Sequence, residues 1–268
     1  MGDIPLYCAP DSADVWAHPD LFALDADGNP ALTGGAPPDY FSPEGQNWGS
    51  PVYNWDAIKR DDWRWWRQRF NRAMDCFDVV RFDHFRGFTA YFAIPADGGA
   101  KDGQWFPGPG KEFFEAISGG TEKLAVIAEN LGHLDSMVES LKNLLEVPGM
   151  MVWQFSAKEM DAMPAEWQRK TVFYTGTHDN ETLAGWIKTN MPRRDPTFAC
   201  ERILDDLSYS EAGWVIAQLQ DVLALDNSAR MNVPGVAEGN WKWRCPDGLL
   251  TDKLANDLRR RSKRTRRA

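Results

Sequence analysis

Phe77-Asp78-Val79-Val80-Arg81-Phe82-Asp83 decides the fold. A run rich in Val and Phe, without strict alternation, breaks off at an acid. A strand with one wet face alternates apolar and polar residues, whereas a strand covered on both faces does not need to. The same pattern recurs. Residues 4–8 lead to Asp11, 124–128 to Glu129, and 172–174 through Thr175-Gly176-Thr177 to His178 and Asp179. Residues 150–155 and 214–219 read as two more strands, making six. Helical spacing occupies residues 58–74, 111–117 and 136–145, and Asn180 is placed to cap a further helix over the following residues. Buried strands alternating with helices predict an α/β chain with a parallel sheet, open or closed. A complete (β/α)8 barrel needs eight strands.

The 268 residues are 43% hydrophobic and 26% charged, enough chain for one large domain or two small ones. No apolar run approaches the roughly 20 residues that cross a bilayer, and the first residues show neither a secretory leader nor a myristoylation signal. The expectation is a soluble, cytoplasmic protein. Cysteines 8, 76, 200 and 245 form no Cys-x-x-Cys pair, and histidines 18, 84, 133 and 178 lack helical metal-ligand spacing, so neither a disulfide framework nor a zinc site is expected. The net charge of −9 conceals a division. Residues 259–267 hold seven of the 30 basic groups, leaving the rest of the chain at −16. Such an acidic body repels nucleic acid, and residues 259–268 read as a solvated, disordered basic tail.

Thirteen tryptophans are the unusual number. Core packing should absorb most of them, including at least one of Trp63, Trp65 and Trp66, but their flat faces also suit the C–H face of a sugar ring. Residues 25–54 and 94–110, rich in Gly and Pro, read as long loops, and the aromatics of the first favour a functional role.

Three strand-end acids, Asp83, Glu129 and Asp179, should emerge on one edge of a parallel sheet, where α/β active sites form. Arg81 shares a strand face with Asp83, and His178 adjoins Asp179. Glycoside chemistry needs one ionised and one protonated carboxyl. Arg81 would keep Asp83 ionised, while the apolar flanks of Glu129 would help it keep its proton.

Several stretches resemble the 4-α-glucanotransferases called amylomaltases, or disproportionating enzymes. Three are Arg81-Phe-Asp-His-Phe-Arg-Gly-Phe, Ile127-Ala-Glu-Asn-Leu-Gly and Tyr174-Thr-Gly-Thr-His-Asp-Asn-Glu-Thr. Asp11-Ser-Ala-Asp-Val-Trp, Gly45-Gln-Asn-Trp-Gly-Ser-Pro, Gln220-Asp-Val-Leu-Ala-Leu, Ala229-Arg-Met-Asn-Val-Pro-Gly and Gly239-Asn-Trp-Lys-Trp-Arg agree. The resemblance runs from about residue 2 to 258. It implies a TIM-type (β/α)8 barrel, incomplete here because residues 4–8 look like the family's third strand, so about six of eight strands are present.

By the same resemblance, Asp83 is the nucleophile, Glu129 the general acid/base and Asp179 the third acid. Arg81 orients the nucleophile, His178 binds the same glucose, and Asp11 sits in an earlier family motif. Tyr40, Phe41 and Trp48 lie in an aromatic loop curving over the glucan. The implied activity is retaining transfer of α-1,4-glucan segments between maltooligosaccharides or amylose, with no metal or organic cofactor. An amylase-like hydrolase using the same acids and an inactive glucan-binding fragment are the alternatives.

Overall fold

Five of the six expected strands overlap their buried runs closely, four of them shorter than expected, while the strand expected over residues 4–8 lies instead over residues 2–4 and shares only Ile4 with it. In the computed structural model, which describes residues 1–38, 43–119, 124–131, 136–236 and 238–267, the chain divides into two compact units, Met1–Gly149 and Met150–Ala268.

In the first unit, β1 (Gly2–Ile4), β4 (Val80–Phe82) and β7 (Val126–Ala128) make a parallel sheet in the order β1-β4-β7. Pro5 has no N–H to continue the ladder, so the first strand stops at Ile4. The register aligns Asp3 with Arg81 and Arg81 with Ile127, then Ile4 with Phe82 and Phe82 with Ala128. One side of this sheet packs into an aromatic core. Trp66, Phe82, Phe88, Phe113 and Phe114 are fully buried, and the Phe88 and Phe113 rings stack at 4.6 Å. The helices are α1 (Ala13–Ala17), α2 (Trp55–Arg60), α3 (Arg64–Cys76), α4 (Gly110–Ser118) and α5 (Ser136–Leu144). The continuous helix expected over 58–74 is thus broken in two. Asp62 and Trp63 both take positive φ, which no helix accommodates, and the turn buries Trp63.

The two Gly/Pro-rich loops contain a second sheet. Strands β2 (Leu32–Ala36), β3 (Gln46–Pro51), β5 (Ala90–Pro95) and β6 (Gln104–Pro107) pair antiparallel in the order β3-β2-β5-β6. Their Gly and Pro hide the strand pattern. Gly34 is required there, because a Cβ would lie 2.4 Å from the Tyr7 ring.

In the second unit, β8 (Gly149–Val152), β9 (Thr171–Tyr174) and β10 (Trp214–Ile216) form a sheet in the order β10-β9-β8, with β9 and β10 parallel. Around it run α6 (Trp153–Ala162), α7 (Ala165–Gln168), α8 (Leu183–Asn190), α9 (Pro196–Tyr209), α10 (Leu219–Val222) and α11 (Asp252–Arg264). The cap of α8 is Thr182, whose hydroxyl accepts from Gly185 N, and not Asn180.

The basic tail is not disordered. Residues 252–264 are helical, capped by Thr251. Arg261 and Arg264 donate to Asp205 at 2.7 and 2.8 Å. Arg267 donates to the carbonyls of Ser208, Ser210 and Ala212. These carbonyls close the C-terminal end of α9, where a cation is favoured. Reading charge alone missed those acceptors. Nor does the core absorb most of the tryptophans: Trp63, Trp65 and Trp66 are buried, but six of the thirteen are exposed.

Candidate active site

Asp83 and Glu129 follow adjacent parallel strands and continue their ladder. Asp83 N donates to Ile4 O and Glu129 N to Phe82 O, each at 3.0 Å. Register therefore places the two acids side by side at the carboxyl end of the sheet, on strands about 4.8 Å apart. Retaining glycosidases need their two carboxyl groups about 5 Å apart.

Arg81 organises the Asp83 side. Its guanidinium makes two bonds to Asp3, Nε to Oδ1 at 2.9 Å and Nη2 to Oδ2 at 2.8 Å, and Nη2 also reaches Asp83 Oδ1 at 2.8 Å. The side chain of Arg81 is buried, whereas those of Asp3 and Asp83 are about 40% exposed. Burial works against the Arg81 charge. Hydrogen bonds and attraction from Asp3, then the charges of Asp83 and Glu129, outweigh it and raise its pKa. Sequence reasoning missed Asp3. The available signal was its position opposite Arg81, which becomes meaningful only once the two strands are paired in register.

Glu129 sits in a different field. Its Oε2 accepts from His84 N and its Oε1 from Leu131 N, both at 2.8 Å. Burial, followed by the Asp83 charge, raises its pKa to about 7, against the two backbone bonds and Arg81. At neutral pH such a carboxyl can both donate and accept a proton. His84 stands at positive φ (49°) between the two acids in sequence, its ring kept neutral by burial and by Arg86, with a pKa lowered to about 4.

Trp48, on β3, lies edge-on to His84 with ring centroids 4.8 Å apart, and its Nε1 donates to Gln46 Oε1 at 3.1 Å. It is partly exposed, and through His84, the residue that follows Asp83 and donates its N–H to Glu129, it is connected to the acid pair. Tyr40 and Phe41 lie outside the described residues. Asp11 is exposed in the turn before α1, on a recess of about 460 Å³ that it shares with Trp16 and Leu24. A larger recess of about 750 Å³ is lined by Asp20, Phe22, Asp25, Asn54 and Asp61. Size alone would favour it, but the chemistry favours Asp83 and Glu129, where one acid is ion-paired and burial raises the pKa of its neighbour.

The second unit brings His178 and Asp179 together, with His178 Nε2 3.3 Å from Asp179 Oδ2. Asp179 is not at a strand end in the manner of Asp83. It lies five residues beyond β9 in a loop held by side chains. Asp221 accepts from Thr175 Oγ1 at 2.5 Å and from Leu183 N at 2.7 Å, and Asn227 accepts from Thr182 N at 3.1 Å. Burial raises the pKa of Asp221, against those two hydrogen bonds. Asn232 Nδ2 donates to Asp179 Oδ1 and Arg230 Nη2 to Asp179 O, both at 2.6 Å. Both partners lie in a stretch that carries the family resemblance, but spacing gave no sign that they reach Asp179.

The family model described as 4-alpha-glucanotransferase matches residues 1–251. The 4-alpha-glucanotransferase of Thermus thermophilus is 40% identical over 291 residues, covering all of this chain and 58% of that protein. The chloroplastic/amyloplastic enzyme of Solanum tuberosum is 40% identical, over 95% of this chain and 47% of its own length. The structure of an amylomaltase from Streptococcus agalactiae in complex with acarbose superposes with a TM-score of 0.89 at 36% identity, over 99% of this chain and 57% of that one. An amylomaltase from Corynebacterium glutamicum shares the fold at 17% identity and a TM-score of 0.77. The chain thus spans about half the length of the curated relatives it matches. With an α/β fold like that of an amylomaltase and a family match over nearly its whole length, it belongs to the 4-alpha-glucanotransferase family.

Proposed function

We propose that this chain provides the acid–base machinery of a retaining 4-α-glucanotransferase. The observation that supports it most is the pairing of Arg81-bound Asp83 with Glu129, an acid whose pKa lies near 7, at adjacent strand ends. In the first half-reaction Asp83 attacks C1 of a glucose unit. The bond from C1 to the glycosidic oxygen breaks, and Glu129 gives its proton to that oxygen. In the second, the 4-hydroxyl of an incoming glucan attacks C1, Glu129 takes the hydroxyl proton, and the ester to Asp83 breaks. Configuration at C1 is retained. Arg81 holds the nucleophile in place, and the resemblance assigns sugar hydroxyls to Asp179, the same glucose unit to His178, and a place among the substrate-binding residues to Asp11. Strands β1, β4, β7 and β8–β10 read as six of the eight strands of an incomplete (β/α)8 barrel. We also place the protein in the cytoplasm; the four free cysteines are consistent with that compartment, and no helix among the described residues is long and apolar enough to cross a membrane.

Incubation with maltotriose tests the reading. Transfer yields glucose and maltooligosaccharides longer than the substrate; glucose and maltose without elongation would instead identify a hydrolase. Amylose binding with no products at any enzyme concentration would identify a binding fragment. Choosing a sugar over water needs an acceptor platform that sheds solvent. Trp48→Ala is accordingly expected to raise the ratio of hydrolysis to transfer by a few-fold. An unchanged ratio beside a lower total rate would count against that role.

A further inference from the structure

Trp241 lies in one of the family-like stretches, outside the acid–base machinery. Its ring is 59% exposed, and its backbone sits at φ 61°, a left-handed conformation costly for a bulky residue. Several bonds hold it there. Trp241 N donates to Met231 O at 2.7 Å, and the Asn240 side chain accepts from Val233 N at 3.0 Å while donating to Val236 O at 2.8 Å. The segment held in this way also supplies Asn232 and Arg230, which donate to Asp179. The indole itself lies against His178, ring centroids 5.3 Å apart at 42°. A strained backbone fixed by a hydrogen-bonded loop therefore keeps a large flat ring in solvent beside His178, which in turn adjoins the Asp179 carboxylate and, through it, the Asn232 carboxamide.

Burying the ring would satisfy its apolar surface, yet the loop holds it out. Strain retained at an exposed aromatic is an arrangement found at ligand sites. The neighbouring polar groups define the ligand chemistry. Carboxylate, imidazole and amide suit vicinal hydroxyls, and an indole face suits the C–H face of a pyranose. We infer that Trp241 is a stacking platform of the His178–Asp179 cluster, seating an α-linked glucose unit whose hydroxyls those residues bind. This deepens the proposed function and rests on it for the substrate class.

The test measures maltoheptaose binding by calorimetry on the full chain carrying Glu129→Gln, so that turnover does not interfere. Adding Trp241→Gly removes the ring and relieves the positive φ. It is expected to weaken binding about 10-fold without lowering the thermal midpoint, whereas Trp241→Phe stays within about 3-fold. A ring with a purely structural role predicts the opposite, a lower midpoint with affinity intact. An unchanged dissociation constant in the glycine variant overturns the inference, as does failure of the Glu129→Gln chain to bind maltoheptaose. The two readings separate. If binding depends on Trp241 but the unmutated chain makes no products from maltotriose, the platform stands and the transferase reading falls. If transfer proceeds and Trp241→Gly leaves KM unchanged, the platform falls and the reading stands.

Discussion

Asp83 and Glu129 are delivered by strand ends, His178 and Asp179 by a loop, and different forces hold the two regions. In the first, ladder bonds from Asp83 N and Glu129 N fix both backbones, and one buried arginine ties Asp83 to a neighbouring strand. In the second, the amides and carboxylate of Asp221, Asn227, Asn232 and Asn180 support a turn that belongs to no sheet. Regular structure positions a group through many weak, cooperative contacts. A loop positions it through a few side chains, each individually important.

The largest expected effect tests the strand-built pair. Asp83→Asn and Glu129→Gln are each expected to cut maltotriose turnover by on the order of 10³-fold with the fold intact. A loss below tenfold in either would move the chemistry away from this pair. Glu129→Gln also has a stability signature. The folded-state pKa of Glu129, about 7, is raised above the ordinary 4.5, mainly by burial. Its proton therefore stabilises the fold fully below about pH 4.5, and that contribution is lost as pH rises through 7. Glutamine is uncharged at every pH, so the stability of the variant relative to the unmutated chain should rise by about 3 kcal/mol between pH 4 and pH 8, by urea unfolding. A stability difference that stays the same at the two pH values would mean that the carboxyl is solvated.

The comparison sharpens with one deletion in each region. Asp3→Ala leaves the buried Arg81 with Asp83 and is expected to cost about 2 kcal/mol. Asn227→Ala removes the acceptor for Thr182 and is expected to cost about 1 kcal/mol, with a larger fractional effect on amide exchange in residues 177–182 than elsewhere. Uniform exchange changes in the second variant would show that the loop unfolds only with its unit. The smallest effect belongs to the basic helix. Asp205, its carboxyl held low by the hydrogen bonds and charge of Arg261 and Arg264 against partial burial, lies at a half-exposed surface. Asp205→Asn is expected to cost under about 1 kcal/mol, and less still in 1 M salt.

Sequence reading succeeded where geometry is local. Residues 80–82 and 126–128 are buried on both faces and lack turn residues, so the apolar run alone marks where each acid emerges. It failed where the deciding contact is distant. Asp3 gains meaning only opposite Arg81, some 78 residues away. The partners of Asp179 lie some 50 residues downstream. The antiparallel sheet was hidden by Gly34 and Gly35, whose missing side chains make room for a neighbouring strand and ring while lowering local strand propensity. Arg267 looked solvated because its acceptors are backbone carbonyls, which side-chain identity does not encode.

The poise of Glu129 has a consequence for the direction of the proposed chemistry. Swapping one α-1,4 bond for another releases almost no free energy, so neither leg of the cycle can drive the other. A strongly acidic carboxyl would release its hydrogen readily but recover it poorly from a sugar alcohol; a weakly acidic one would do the reverse. A group balanced at neutrality leaves the two legs evenly matched, and chain lengths then redistribute according to which ends collide most often.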